Sequence, residues 1–301
     1  QFALDGTATD LRVSHGPLLG RPGPDTMSLW VRTERPGEVK IFYGIQKEVL
    51  NREASIKTTS LAHDYTGIIT LNDLEANTRY YYRIADHQLS GSFRTLPKSS
   101  DFRNPKGNPD GLFNFKFEFA CGNNQNGGGN SAGPTVPVFD TLNDQVRDEV
   151  HFAILNGDWL YEQRRDYSPD SWLHQVGLDS MKEAPHVVQK APSIVGVWEN
   201  YKVFLERGKN LSEWHRHVPS FYTADDHELL NDIYGAGETG YVNRRAVFRD
   251  IGTQAWFDYL AWANPVKHDQ PAWFGTGEFQ AKSDILEDPK ADFTQLDFKQ
   301  L

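Results

Sequence analysis

One cysteine, Cys121, and two methionines are all the sulfur in this 301-residue chain. A single thiol excludes an internal disulfide and leaves Cys121 either a small core hydrophobe or a functional ligand. No stretch approaches 18 consecutive apolar residues, so no helix is expected to cross a membrane. Positive charge is scarce: 31 Lys and Arg stand against 41 Asp and Glu, a net charge of −10. That balance gives no electrostatic footprint for nucleic acid, and any phosphate must be met locally, by metal or by a few arginines. The glycine-rich run GNNQNGGGNSAGP is not closed by a Lys-Ser/Thr pair, which excludes a P-loop. No repeat of 20 to 50 residues is visible. The chain opens at Gln1 with no charged segment followed by an apolar one, which reads as a mature or trimmed product and is compatible with secretion.

Aromatic residues are plentiful, with 8 Trp, 12 Tyr and 18 Phe, which argues for a packed globule and against disorder. The length predicts two domains. Residues 1–98 read as a small β-sandwich, because MSLWVRT, VKIFYGI, YTGIITL, RYYYRI and SGSFRTLP follow one another between turn-rich pieces. TLNDLEANTRYYYRI looks like the fibronectin type III pattern, with Tyr80 and Tyr82 competing for the corner role. A polar segment, 99–111, makes a linker, and 112–301 form the second domain. There FNFKFEFAC alternates as a strand, a helical spacing runs from Val136 to Val150, and HFAILNGD reads as a covered strand. Strand, helix and strand in this order make a βαβ unit. A long helical insertion with Trp198, Tyr201, Phe204 and Leu205 on one face leads to a third strand, VPSFYT. NRRAVFRDIGTQAWFDYLAWAN is predicted to be a helix that turns Val247, Phe248, Ile251, Ala255, Phe257 and Leu260 inward. The fold class expected is α+β.

Each of the three strands of the second domain ends in ligand-type side chains: Cys121; Asp158 and Tyr161; then Asp225, Asp226, His227 and Glu228. Open α/β sheets place their chemistry at such carboxyl ends. Thiolate and phenolate donors favour a trivalent or borderline metal such as iron, whereas carboxylates favour calcium, magnesium or manganese. A site holding both kinds suggests two ions, able to clamp a phosphoryl group and activate a water. Competing structural roles are open for most of these residues. Asp225 could be a helix cap with Glu228 completing a capping box. Tyr161 could be a core aromatic. Arg164 and Arg165 could grip phosphate or simply be solvated, and Asn123, Asn124 and Asn231 could contact calcium or phosphate or cap loops.

GPLLGRPGPDTMSLWVRT, the strand ending at Cys121, GDWLYE and ADDHELLND stand in the order seen in the PhoD-type alkaline phosphatase (alkaline phosphatase D) family, which this sequence resembles from residue 12 to about 262. The resemblance implies a fibronectin-like domain joined to an αββα metallophosphatase domain. It implies Cys121, Asp158 and Tyr161 as Fe(III) ligands, Asp158 bridging to a Ca(II)-type site and Asp226 as a second-metal ligand, with other divalent metals compatible. His227 would stabilise the phosphoryl oxygens or protonate the leaving group, and Glu228 would orient His227. The implied activity is hydrolysis of small or polymeric phosphate mono- or diesters by a secreted or periplasmic enzyme. Family members supply further ligands in a C-terminal GD-x-H type motif. Here the only histidine after Glu228 is His268, in PVKHDQ, which does not match. The expectation is an incomplete metallophosphatase domain, its remainder in the same protein or a second chain. Two rivals stand beside this reading: a sulfate-type ester hydrolase on the same scaffold, and a non-catalytic binding or adhesion protein.

Overall fold

The computed structural model describes residues 11–58, 60–84, 89–125, 135–231, 244–264, 278–283 and 285–287. The chain divides into two units, Gln1–Asn264 and Pro265–Leu301. His268 and the glycine-rich run 126–134 lie outside the described residues.

Seven strands open the first unit: β1 Val13–Gly20, β2 Met27–Thr33, β3 Glu38–Gly44, β4 Arg52–Lys57, β5 Thr66–Leu71, β6 Arg79–Ile84 and β7 Ser90–Arg94. They form a three-stranded sheet, β1-β2-β5, and a four-stranded sheet, β4-β3-β6-β7. Alternation drives the pairing. Tyr80, Tyr82 and Ile84 of β6 point inward with Ile41, Phe93 and Leu29 to fill one core. Only the hydroxyl of Tyr80 closes a corner, accepting the Glu75 N–H at 2.9 Å. Tyr82 instead donates to the Arg216 carbonyl at 2.9 Å, far along the chain.

A short helix, α1 Ser99–Phe102, leads to the second layer system. Its sheet has three parallel strands in the order β10-β9-β8, with β8 Phe117–Ala120, β9 Phe152–Asn156 and β10 Ser220–Thr223. Helix α2 Val138–Gln145 connects β8 to β9. Four helices, α3 Pro169–Val176, α4 His186–Lys190, α5 Ile194–Arg207 and α6 Lys209–His215, fill the crossover to β10. α7 Asp226–Leu229 follows β10, and α8 Arg244–Tyr259 runs into a single 3₁₀ turn. The predicted inward face of α5 is buried, Trp198, Tyr201 and Phe204 completely so. On α8, Ile251 and Ala255 are buried as expected, as is Leu260 just beyond it, but Phe257 is half exposed and Tyr259 takes the core position. The side chains of Val247 and Phe248 lie outside the described residues.

The sheet is covered on one face. Ala153, Leu155, Ser220 and Tyr222 are buried on that side. Register places Phe117 beside Phe152, and Phe119, Ile154 and Phe221 in one row on the other face. There Phe117 and Phe119 remain 48% and 59% exposed, and Phe117 clusters with Phe115 and Phe152. The run HFAILNGD, predicted as a covered strand, is therefore covered on one side only among the described residues. At the outer edge of β10 the Asn264 side chain pairs with Tyr222 as a neighbouring strand would, accepting its N–H at 2.9 Å and donating to its carbonyl at 2.6 Å.

Buried polar contacts lock the sandwich to the α/β part. Trp30 of β2 donates its indole N–H to the Asp258 carbonyl at 2.8 Å. Arg32 forks onto the fully buried Asp64 at 3.0 and 2.9 Å, and Tyr259 of α8 donates to the same carboxylate at 2.5 Å. Burial pushes the Asp64 carboxyl up, but the charges of Lys202 and Arg32 outweigh it and hold it below its ordinary value. In the second unit, Glu278–Phe279 and Leu286–Glu287 pair antiparallel as β11 and β12.

Candidate active site

The carboxyl ends of β8, β9 and β10 lie side by side because the sheet is parallel, so the three loops that follow them meet. The chain leaves β9 through two residues in the left-handed region, Gly157 at φ 75° and Asp158 at φ 53°. Glycine is required at 157, where a Cβ would come within 2.6 Å of the Asp225 Cβ. Asp158 has no such freedom and is held in an uncommon conformation, the kind of local cost found at functional positions. Glu228 is what holds it. This buried carboxylate accepts the N–H groups of Trp159 at 2.7 Å and Leu160 at 3.2 Å on one oxygen, and those of Asp158 at 3.1 Å and Asp225 at 2.8 Å on the other. Burial raises its pKa and the four backbone donors partly offset that rise. The loop after β8 joins the same frame through Asn123 N–H to the Asp158 carbonyl at 2.7 Å and Gly122 N–H to Gly157 at 3.2 Å.

Asp158 accepts the Tyr161 hydroxyl at 3.1 Å on Oδ2, while its Oδ1 is buried with no hydrogen-bond partner. Burial raises the pKa of Asp158, against the pull of His227. Tyr161 is raised too, by burial and then by the Asp158 charge. Asp158, Asp226 and His227 each offer one ligand atom within 4.8 Å of the others. An orphaned carboxylate oxygen beside a second carboxylate and an imidazole fits a hard or borderline cation. Cys121 is exposed, which removes the buried-hydrophobe alternative. Burial first, then the Asp158, Asp225 and Glu228 charges, push its thiol up in the metal-free protein.

The glutamate next to the site histidine is not the one expected. Glu228 reaches the backbone of residues 158–160 rather than His227, and the carboxylate on His227 is Glu162, 2.7 Å from Nδ1. Neighbours on a helix do not face each other, so adjacency in DHE is a poor guide to contact. The other Glu162 oxygen accepts the Asn231 N–H at 2.6 Å. The Tyr161 and His227 rings lie with centroids 4.1 Å apart. Asp225 caps α7 in a capping box with Glu228. Arg165 donates to the His227 carbonyl at 3.0 Å, a main-chain clamp. Arg164 is exposed, its amide held by Asn200 at 3.0 Å. Asn123 pairs with loop backbone, its Nδ2 on the Trp159 carbonyl at 3.3 Å, and Asn124 is half-buried beside it. Behind the loop, His215 accepts the Trp159 indole N–H at 3.3 Å and contacts the Tyr222 hydroxyl at 3.2 Å, and burial pushes its pKa down to about 3. Nothing in the motif pattern singled out His215. Glu162 was visible as the last residue of GDWLYE.

Parallel strand ends that gather two carboxylates, a phenol and an imidazole are an arrangement suited to metal-dependent hydrolysis, and comparison with known proteins places the fold. Residues 116–279 match the model of the PhoD-like phosphatase family, more than half of the chain. The chain belongs to that family. Residues 10–101 match a domain of unknown function, DUF7800. A solved structure of PhoD is 17% identical with a TM-score of 0.57, covering 88% of this chain and 48% of its own. This likeness shows the fold, and the chain spans about half the length of that structure. The purple acid phosphatase PPD1 from yellow lupin (Lupinus luteus) seeds is 12% identical with a TM-score of 0.48, covering 86% of this chain and 42% of its own. No curated protein matches the chain.

Proposed function

We propose that this chain hydrolyses phosphate esters, mono- or diesters of small or polymeric alcohols, at a binuclear site of the Fe(III)/Ca(II) type. The observation that carries the proposal is that Asp158, whose buried Oδ1 has no hydrogen-bond partner, offers a ligand atom within 4.8 Å of one on Asp226 and one on His227. Cys121, Asp158 and Tyr161 would hold iron and Asp226, sharing Asp158, the calcium-type ion. Bound there, the metals would supply Lewis acidity toward a phosphoryl oxygen and lower the pKa of a bound water. The chain's own residues do the rest. Glu228 fixes the loop that aims Asp158. His227 contacts the phosphoryl oxygens or protonates the leaving alkoxide. Asn124, Arg164 and Asn231 are candidates for substrate contacts from the surrounding loops, and a secreted or periplasmic site of action suits such a substrate.

The test is elemental analysis of the purified chain with a visible spectrum on the same sample, followed by assays with phosphate and sulfate esters of one chromophore. Iron near one per chain, a charge-transfer band lost in Tyr161→Phe, and phosphate-ester hydrolysis lost in Asp158→Asn are expected. Full activity in Asp158→Asn refutes the proposal, as does hydrolysis of the sulfate ester alone.

A further inference from the structure

At the end of the parallel sheet opposite the candidate active site lies a cleft of about 960 Å³, walled by the outer face of β6 and by the turns that enter β9 and β10. Arg79, Tyr81 and Arg83 alternate with the buried Tyr80 and Tyr82, so they stand in one row on the sandwich side. Arg147 precedes β9, and Arg216 and His217 precede β10, on the other side. The two walls are tied together by their own contacts. Arg79 donates to Asp148 at 2.8 Å, and the Ser92 N–H reaches His217 Nδ1 at 3.1 Å. Gly91 is required between them, where a Cβ would collide with the Arg216 carbonyl oxygen.

Five cationic side chains line the cleft, Lys47 and Arg83 in addition to Arg79, Arg147 and Arg216, against the three carboxylates of Glu48, Asp148 and Glu213. In a chain of net charge −10, a local surplus of two positive charges runs against the average. The carboxylates nearest the guanidinium groups are already taken. Asp148 holds Arg79, and Glu213 alone serves Arg147 at 3.4 Å, Arg216 at 2.5 Å and His217 Nε2 at 3.0 Å. The Nε–H groups of Arg147 and Arg216 are buried without an acceptor. Arg83 is exposed over the Phe42 ring, and among the described residues neither it nor Lys47 pairs with a carboxylate.

We propose that this cleft is a second binding site, for an oligophosphate: a short chain of phosphate groups lying between the β6 row and Arg147 and Arg216. Guanidinium forks on both walls match successive phosphate oxygens, and a cleft lined by an excess of one charge focuses its field on an anion. The row from Arg79 to Arg83 spans about 13 Å, the reach of several linked phosphates rather than of one. Strand β9, about 16 Å long, separates the cleft from Asp158. The site is therefore distinct from the candidate active site and stands apart from the phosphoesterase reading.

The test is calorimetric titration of the metal-free full chain with tripolyphosphate, with citrate as a carboxylate of comparable charge and amide ¹H–¹⁵N shifts to locate the ligand. Saturable binding is expected, weakening steeply with salt and falling about tenfold in Arg83→Gln and again in Arg147→Gln. Arg12→Gln, which removes an exposed cation outside the cleft, should leave it unchanged. The amides of residues 90–92 and 216–217 should shift. Urea unfolding of each variant separates loss of the ligand from loss of the fold, and the exposed Arg83 is expected to change without moving the midpoint. No saturable binding, equal affinity for citrate, indifference to both substitutions, or shifts confined to 157–161 overturns the proposal. Cleft binding in a chain that hydrolyses no ester leaves the second site standing and sinks the phosphoesterase reading, and hydrolysis without cleft binding does the reverse.

Discussion

Replacing Glu228 by Gln is the sharpest probe of how the site is held. The change keeps shape and removes one oxygen's worth of acceptors. In the protein, one oxygen serves Trp159 and Leu160 and the other serves Asp158 and Asp225. A glutamine can present its oxygen to one pair only, and its NH₂ then faces two N–H donors. Two bonds to a charged acceptor are lost, each worth about 1.5 to 3 kcal/mol, and the stranded donors retain part of their desolvation cost. Removal of the buried charge, which burial alone disfavours, offsets some of this. The expected net loss is about 2 to 4 kcal/mol, readable by urea unfolding of the metal-free chain. Because the lost donors sit on the residues that carry Asp158, amide hydrogen exchange at 158–160 should rise by more than elsewhere. A loss below about 0.5 kcal/mol with unchanged exchange at those amides would refute the claim that Glu228 holds the loop.

Other outcomes follow from the same reasoning. Glu118 is raised to about 7 by burial. A raised carboxyl contributes stability that is present below its unfolded value and lost as pH rises through 7, so Glu118→Gln should match wild type at pH 4 and be more stable at pH 8. The gain, discounted for partial exposure, is about 1 kcal/mol, and equal melting at pH 8 would refute it. Asp64 is lowered, so its contribution persists above the ordinary aspartate range and disappears as pH falls through its folded value; Asp64→Asn should flatten the acid limb of the stability curve and cost about 3 to 5 kcal/mol at pH 7 by leaving Arg32 buried without its partner. Tyr80→Phe should cost about 1 kcal/mol through loss of the Glu75 bond, measured by thermal unfolding.

Most of the architecture was legible in the sequence wherever one face of an element is buried. MSLWVRT, RYYYRI and VPSFYT carry their strands plainly. β1 was not read as a strand because register shifts between Val13 and Leu18 break its alternation. β4, REASIK, was missed because only Ile56 is buried. The strict alternation of FNFKFEFAC gave the strand but not the side on which its phenylalanines lie, since a pattern of period 2 fixes parity and not which face is covered. Convergence of Asp158, Asp226 and His227 was legible because strand ends of a parallel sheet must meet. The partner of each carboxylate was not, because Glu162 and Glu228 look alike until the loops bring one to an imidazole and the other to four amides.

The seam between the β-sandwich and the α/β part bears on how this protein can be taken apart. Trp30, Asp64 and Tyr82 belong to the sandwich by sequence, yet their partners Asp258, Tyr259 and Arg216 come from well over a hundred residues away. Cutting at 99–111 would strand an indole and a phenol on one fragment, take the Tyr259 hydroxyl from the Asp64 carboxylate, and open a hydrophobic socket on the other fragment. Grafting the sandwich of a relative would have to carry those three anchors or replace them in concert with α8. For chimeras and for recombination among relatives, the transferable block is the whole of residues 11–264, and the short helix between its two parts is a poor place for a crossover.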